Sequence, residues 1–328
     1  TRALLDPQLR DALSRTQAGF GGNRALAVEA LPEFEQIRAH ARTVKNHTLE
    51  HLDYYLEQFE ERVIEAGGQV HWAKTPEDGR RIIAGICERV EARSVIKGKS
   101  MVSEEMALNP ALEAAGMEVV ETDLGEYIIQ LAGEPPSHII APAIHKTKNQ
   151  VSDLFEKHHK RYGYSERVTS VGDIVNEARK VLRDKFQNAD VGITGANFLV
   201  AETGSTVLVT NEGNGDLSSM LPRVHIVTAG IEKVLPTLDD VSTMLRLLAR
   251  SATGQEFSCY TSFFTGPKGA ADDNGPDEFH IVLLDNGRTE MLGNEFREML
   301  RCIRCGSCLN HCPVYGSIGG HAYGSVYS

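Results

Sequence analysis

An α/β fold with a mostly parallel sheet and flanking helices is predicted by three features of this 328-residue chain. Short β-rich runs alternate with helical patterns between residues 69 and 187, as βαβ units require. From residue 190 the β-rich runs shorten and crowd between Gly-containing turns, as neighbouring strands with tight connections do. A last helical stretch then feeds into four cysteines, so the start of a small α-helical segment follows the sheet. The predicted boundaries are an N-terminal arm over 1–30, an α/β domain over 31–289 and the cysteine segment over 290–328.

Each element has its own reason. Residues 1–30 are polar and Gly-punctuated, an arm expected to dock on something else. From Leu31 to Ala66 apolar residues recur at helical spacing, including Phe34, Ile37, Val44, Leu52, Leu56, Phe59 and Val63, and Gly67-Gly68 stops the run. QVHWA reads as a strand. Thr75, Pro76 and Asp78 supply an N-cap, an N1 proline and a near capping box for a helix ending by Ala92. SVIKG is the next strand, followed by a helix from Ser103, strand MEVVETD, a helix around Tyr127, strand HIIAPA, and helices over 148–162 and 170–187. VGITGANFLVAETGSTVLVTNEGNG holds three short strands, and RVHIVTAG another. Leu238 to Ser251 is a helix, CYTSFFTG and FHIVLLDNG are strands, and a helix from Glu290 to Arg301 enters the cysteine run.

Composition excludes several function classes. A net charge of −11 and a pI near 5.6 disfavour nucleic acid or an anionic membrane as partner, since both need a basic surface. Lys157 to Arg161, with His158 and His159, reads as a solvated helix face. No apolar run approaches the roughly 18 residues of a transmembrane helix, and no signal-peptide core is present. A reducing cytoplasm is the expected setting, where clustered thiols are metal ligands more often than disulfides.

Cys302, Cys305, Cys308 and Cys312, followed by Pro313, form C-x2-C-x2-C-x3-C-P, the ligand run of bacterial-type iron–sulfur proteins. Thiolates three positions apart on a tight loop can face one point and hold three corners of a cubane. Zinc sites usually use two separated pairs, so the spacing favours a cluster over a zinc knuckle, disulfides or chance. Backbone amides of Gly306 and Ser307 would donate to cluster sulfurs, and Ile303 and Val314 would restrict water. Arg301, Arg304 and His311 place positive charge beside an anionic cluster, unless they are simply exposed loop charges. In two-cluster ferredoxins the fourth cysteine serves the second cluster, yet no second motif precedes Ser328. With Thr1 in place of Met, the chain reads as a fragment, truncated at its C-terminus. Cys87 and Cys259 lack partners at ligand spacing and read as buried apolar residues.

Other motifs fail on inspection. His47, Glu50 and His51 satisfy H-x-x-E-H without an identifiable third ligand, as a His- and Glu-rich helix can by chance. Lys97-Gly98-Lys99-Ser100 resembles the end of a phosphate loop, but Arg93 stands where its first glycine belongs. Gly192 with Gly195, and Gly213 with Gly215, fall short of a dinucleotide loop, and G-x-S-x-G is absent.

Four segments together resemble a known family: TDLGEYIIQLAGEPPSHIIAPAIHKT, VGITGANFLVAETGSTVLVTNEGNG, LPRVHIVTAGIEKVLPTLDD and RCIRCGSCLNHCPVYGSIGGHAYGSVY. They look like the iron–sulfur subunit of bacterial lactate utilisation, the LutB-like family, along most of the chain. The resemblance implies a LUD domain, an α/β fold related to the CoA-transferase and ribose-phosphate-isomerase group, followed by a ferredoxin-type segment. It implies [4Fe–4S] clusters, two in the full-length protein, with Cys302, Cys305, Cys308 and Cys312 as the ligands that match one by one. It also implies electron transfer within a complex that oxidises L-lactate to pyruvate alongside two companion proteins, with the electron acceptor unidentified. The missing downstream cysteines leave the cluster set incomplete here.

The expected pocket is the Gly-rich 192–216 region, because parallel α/β sheets bind ligands beyond their strand ends. Asn197, Glu202, Thr203, Ser205, Asn211 and Glu212 place polar groups on its connections. In CoA-transferase-like relatives a loop carboxylate can be the nucleophile, which makes Glu202 the catalytic candidate of an alternative, CoA-transferase- or isomerase-like reading; otherwise it is a turn or cap carboxylate. His138, His145, Lys146 and Lys97 could complement an anionic substrate, or pair with surface carboxylates. A zinc-binding structural or regulatory module is the third reading.

Overall fold

A computed structural model describes residues 3–323 and 326; Thr1 and Ser328, the expected fragment ends, lie outside the described residues. The chain runs through α1 (Pro7–Glu29), α2 (Phe34–Glu50), α3 (Leu52–Glu65), β1 (Gln69–Ala73), α4 (Pro76–Arg89), β2 (Ser94–Lys97), α5 (Met101–Glu105), α6 (Leu108–Ala114), β3 (Glu118–Glu121), α7 (Leu124–Ala132), α8 (Lys148–His158) and α9 (Val171–Asn188). Then follow β4 (Val191–Gly195), β5 (Phe198–Val200), β6 (Ser205–Thr210), α10 (Asn214–Met220), β7 (Val224–Gly230), β8 (Val234–Leu235), α11 (Leu238–Thr253), β9 (Tyr260–Phe264), β10 (Glu278–Leu284), α12 (Arg288–Leu292), α13 (Ser307–His311) and α14 (Pro313–Ile318).

Six strands form one sheet in the order β1-β10-β7-β4-β2-β3, with every neighbouring pair parallel. This is the α/β fold with flanking helices that the alternation predicts. Central strands β4 and β7 are buried along almost their whole length, as a sheet covered on both faces requires. One face packs α4 and α6 through Ile83, Ile86 and Leu112, and the other packs α3 through Leu56, Phe59 and Val63. A second sheet, β8-β5-β6-β9, carries α2 and α11 through Phe34, Val44, Val241 and Met244. Helix α4 starts with the capping box of Thr75 and Asp78, Pro76 standing in its first turn. None of the described helices is long and apolar enough to cross a membrane.

Several elements differ from expectation. Residues 31–66 break into two helices at His51, whose φ of −123° and ψ of 37° leave the helical region. The three runs from Val191 do not share a sheet: β4 lies in the parallel sheet, and β5 with β6 makes an antiparallel hairpin in the second. HIIAPA is not a strand. Its His138 Nδ1 accepts from the amides of Ile140 at 3.0 Å and Ala141 at 3.2 Å, so the side chain takes the donors a ladder would use. The stretch Glu290–Arg301 is split at Gly293 and Asn294 into α12 and a 3-10 turn over Arg297–Arg301. The N-terminal arm is a 23-residue helix packed on α11, α13 and α14 of its own chain.

Two side-chain readings are corrected as well. His159 is fully buried rather than solvated; its Nδ1 meets Glu177 Oε1 at 2.7 Å and its Nε2 meets the Tyr127 hydroxyl at 2.9 Å. Cys87 is buried, its thiol pushed up to about 12 by that burial, whereas Cys259 is exposed.

Candidate functional site

The cysteine run leaves the 3-10 turn as extended chain and reverses through left-handed backbone at Arg304, φ 58°, and Gly306, φ 74°. A Cβ on Gly306 would stand 3.3 Å from Ile140 Cγ1 and 3.5 Å from Ile139 Cβ. The loop is therefore pressed onto the HIIAPA turn, and glycine answers both the backbone angle and the space. Cys302 and Cys308 are exposed and Cys305 half-buried. Burial raises the Cys305 thiol, the Ser307 amide acts against this, and the neighbouring Cys302 and Cys308 sulfurs raise it further. These three sulfurs thus share one neighbourhood. Cys312 instead caps α14, where Tyr315 N donates to its Sγ at 3.4 Å and holds the thiol below its usual range.

The donor set suits an iron–sulfur cluster. It offers sulfur donors only, and backbone N–H groups point at them: Arg304 at Cys302 Sγ, 3.3 Å, Ser307 at Cys305, and Tyr315 at Cys312. Such donors tune a cluster and orient its ligands. Of the two amides singled out in the sequence, Ser307 has this role and Arg304 and Tyr315 join it. Ile303 packs on the apolar core under α2 and α11, but Val314 is 54% exposed and shields little. Arg301 is tied to Asn46 at 2.6 Å and Glu298 at 3.0 Å, and His311 Nδ1 meets Ser307 O at 2.8 Å. Two buried lysines, Lys45 and Lys233, lie near enough to Cys302 to feel its charge; burial pushes Lys45 down to about 8. Sequence periodicity places Lys45 on a core-facing helix stripe but gives no sign of what it faces.

A second feature lies at the carboxyl ends of the parallel strands. The chain moves from β2 outward to β3, then crosses back to β4 and continues through β7 to β10, so the direction of winding reverses between β2 and β4. Ligands of open α/β sheets bind at such a reversal. A cleft of about 220 Å³ opens there, bounded by Gly98, Lys99, Asn197, Asn211, Glu212 and, from the cysteine loop, Arg304. Deeper in, Ser100, Thr228, Glu232, Lys233 and Arg288 line its continuation. Gly195 lets the β2 and β4 loops meet, since a Cβ there would lie 3.3 Å from Ser100 Cα. Hydroxyls form the floor, with Ser100 Oγ 2.7 Å from Thr228 Oγ1 and Ser103 Oγ at 3.1 Å. Arg288 joins Glu232 at 2.6 Å and Glu105 through two bonds of 2.9 and 2.8 Å. The Gly-rich 192–216 region, expected to form the pocket, supplies Asn197, Asn211 and Glu212 to this lining, and the KGKS stretch, which fails as a phosphate loop, supplies Gly98, Lys99 and Ser100.

Other singled-out residues stand elsewhere. Glu202 is exposed and accepts from Leu238 N at 2.6 Å, at the start of α11; the lining of this cleft does not include it. Thr203 and Ser205 bond each other at 2.9 Å in the same turn. Lys97 is fully buried between Glu104 at 2.9 Å and Glu121 at 2.7 Å; burial opposes its charge, but the two carboxylates hold the ammonium above its ordinary range. His145 and Lys146 both pair with Glu134. His138 is buried, with its Nε2 2.9 Å from Asn310 Oδ1 in α13. His47 bonds Tyr55 at 2.9 Å, and no metal-ligand group forms around it among the described residues.

Comparison with known proteins shows which sequences this chain resembles. The family profile described as LUD domain matches residues 56–284. "Uncharacterized electron transport protein YkgF" of Escherichia coli K12 is 47% identical over 98% of this chain and 67% of its own length. "Lactate utilization protein B" of Geobacillus sp. WCH70 is likewise 47% identical over 98% of this chain and 67% of that protein. The protein of the same name from Lysinibacillus sphaericus C3-41 is 46% identical over 100% and 68%. A solved structure of a DUF162 family protein from Deinococcus radiodurans superimposes with a TM-score of 0.40 at 15% identity, covering 71% of this chain and 98% of its own.

Proposed function

The chain belongs to the LUD-domain family, and from that premise we propose that it serves lactate utilisation as an iron–sulfur electron-transfer subunit. Relatives named for lactate utilisation and for electron transport support the setting. The observation that carries the finer reading is the loop on which Cys302, Cys305 and Cys308 share one neighbourhood, pressed against the mouth of the strand-end crevice. A [4Fe–4S] cluster bound there supplies one-electron transfer. The chain's own residues prepare the place. Arg304 N and the Ser307 amide orient sulfurs, Ile303 excludes water from one side, and Lys45 and Lys233 set positive charge beside Cys302. Cys312, turned away to cap α14, serves a second cluster completed by cysteines beyond this segment. Two companion proteins complete the oxidation of L-lactate to pyruvate, and the crevice positions a small polar molecule or a partner segment against the loop.

The test is iron, zinc and acid-labile sulfide content, with electron paramagnetic resonance before and after reduction, on protein prepared without oxygen. Iron with matching sulfide and a reducible signal is expected, stronger in a polypeptide extended to its relatives' length than in these 328 residues. Cys305→Ser should remove most of that iron while leaving the far-ultraviolet circular dichroism of the sheet domain in place. Zinc without sulfide would overturn the proposal.

A further inference from the structure

A recess of about 440 Å³ opens among α1, α2, α11 and the cysteine loop, and Cys305 stands in its wall. Its charge is opposite to that of the molecule. The chain as a whole carries −11, yet Arg24, Arg38, Arg42, Lys45 and Arg301 line the recess against one carboxylate, Glu35. Glu35 pairs with Arg38 at 2.6 Å, and Arg301 is engaged by Asn46 and Glu298. Arg24 and Arg42 have no ion pair among the described residues, and Arg24 Nε is buried with no hydrogen-bond partner. Lys45 Nζ donates to the backbone carbonyl of Glu232 and is also drawn by that residue's carboxylate. Lys45 is buried and Arg24 half-buried, while Arg38 and Arg42 stand in water at the rim; like charges gathered this closely repel one another, and the buried ones also forfeit hydration. An anion seated among them offsets both costs.

The floor is apolar. Phe34, Met244 and Leu247 lie almost wholly buried beneath the cations, with the Arg24 guanidinium 5.8 Å from the Phe34 ring centroid, and the accessible apolar surface is that of Ala39 and Ile303. A cationic rim over an apolar floor matches an amphipathic ligand, and the volume falls in the range of roughly 300–1,000 Å³ of small-molecule sites. Guanidinium forks suit the oxygens of a phosphate head, which accepts from several at once. Cys305 is the one of the four cysteines that borders the recess; of the cations, Lys45 also faces Cys302, whereas Arg38 and Arg42 stand at the rim.

We propose that this recess binds a phosphomonoester with an apolar body of about mononucleotide size, its head among Arg24, Arg42 and Lys45 and its body against Ala39 and Ile303. This deepens the electron-transfer reading, on which the ligand's relevance rests, by naming the class of carrier that meets Cys305. The experiment titrates the full-length protein, prepared without oxygen, with flavin mononucleotide, with riboflavin, which lacks the phosphate, and with inorganic phosphate as competitor. Iron and sulfide are measured in parallel. Flavin mononucleotide is expected to bind at least tenfold more tightly than riboflavin and to be displaced by phosphate. Arg42→Ala should weaken it at least tenfold with iron content unchanged, and Glu35→Gln, which removes the one carboxylate, should tighten it. Equal affinity for the two flavins, no saturable binding, or binding indifferent to Arg42→Ala would overturn the proposal. So would loss of iron in Arg42→Ala, because the cations would then serve the cluster. Protein that binds flavin mononucleotide in this way but holds no iron would refute the electron-transfer reading and leave the recess standing.

Discussion

The sheet domain and the cysteine segment are held in place by different physics. From α3 to β10, strands and helices bury whole side chains such as Phe59, Phe155, Phe198, Ile281 and Leu283, and the ordering force is removal of apolar area from water. Beyond Arg288 the longest helix is α14, with six residues, and the buried residues are few: Leu300, Asn310, Tyr315 and Gly320 among them. That segment is tied down by individual polar contacts instead. Tyr315 donates to Ser137 O at 2.8 Å, Gln17 Nε2 to Cys312 O at 3.1 Å, and His138 meets Asn310. The difference teaches that the domain is ordered by apolar burial among its own elements, whereas the segment borrows its order from α1 and from the turn around His138.

The comparison can be broken most directly in the sheet. Phe279→Ala, on β10 between α3 and the sheet, should cost about 3–5 kcal/mol and lower the urea midpoint of the whole chain. A shift no larger than that of a segment variant would erase the distinction. Acid should act on the segment first. Burial holds His138 near 4, so it is neutral in the folded chain while its unfolded counterpart titrates near 6.5. Its contribution is therefore fully present above pH 6.5 and is lost as pH falls toward about 4, to the extent of roughly 3 kcal/mol. Protonation at Nδ1 would also break the bonds from Ile140 N and Ala141 N. Hydrogen exchange corrected for intrinsic rates should show α13 amides losing protection before those of β7 as the pH is lowered. Simultaneous loss would place His138's role in the global fold.

Smaller effects sharpen the contrast. Tyr315→Phe leaves the Ser137 carbonyl without its partner, a cost of roughly 1–2 kcal/mol, and proteolysis should cut the segment sooner while the sheet domain's midpoint holds. Glu202→Gln removes a carboxylate from the start of α11 and should cost less than about 1 kcal/mol. Lactate-dependent electron transfer by the assembled system should survive it; loss of turnover with iron content intact would revive an active site at Glu202.

Much of the sheet domain was legible because its signals are local. Strand β1 is QVHWA as read, the Thr75 and Asp78 capping box forms, and Gly-rich turns separate β4, β5 and β6. Where reading failed, a contact between distant segments overrode a local pattern. HIIAPA has strand composition, but His138 captures its amides; within the basic stretch His159 faces inward because Glu177 and Tyr127 satisfy the ring, while Lys157, Lys160 and Arg161 stay exposed. The strand-end crevice was half visible, since the Gly-rich 192–216 region lines it, while Lys99, Arg304 and the Arg288 network arrive from other parts of the chain.

By itself the sequence determined the parallel α/β architecture and the four-cysteine spacing, because hydrophobic periodicity and ligand spacing are properties of neighbouring residues. Only the tertiary structure decided that the cysteine loop lies over the strand-end crevice, and that Arg24 and Arg42, with no ion pair among the described residues, line the recess that Cys305 borders. The reason is physical: charge balance and burial depend on which surfaces meet. Residues 24, 42 and 305 meet only after α1, α2 and the cysteine loop have packed together.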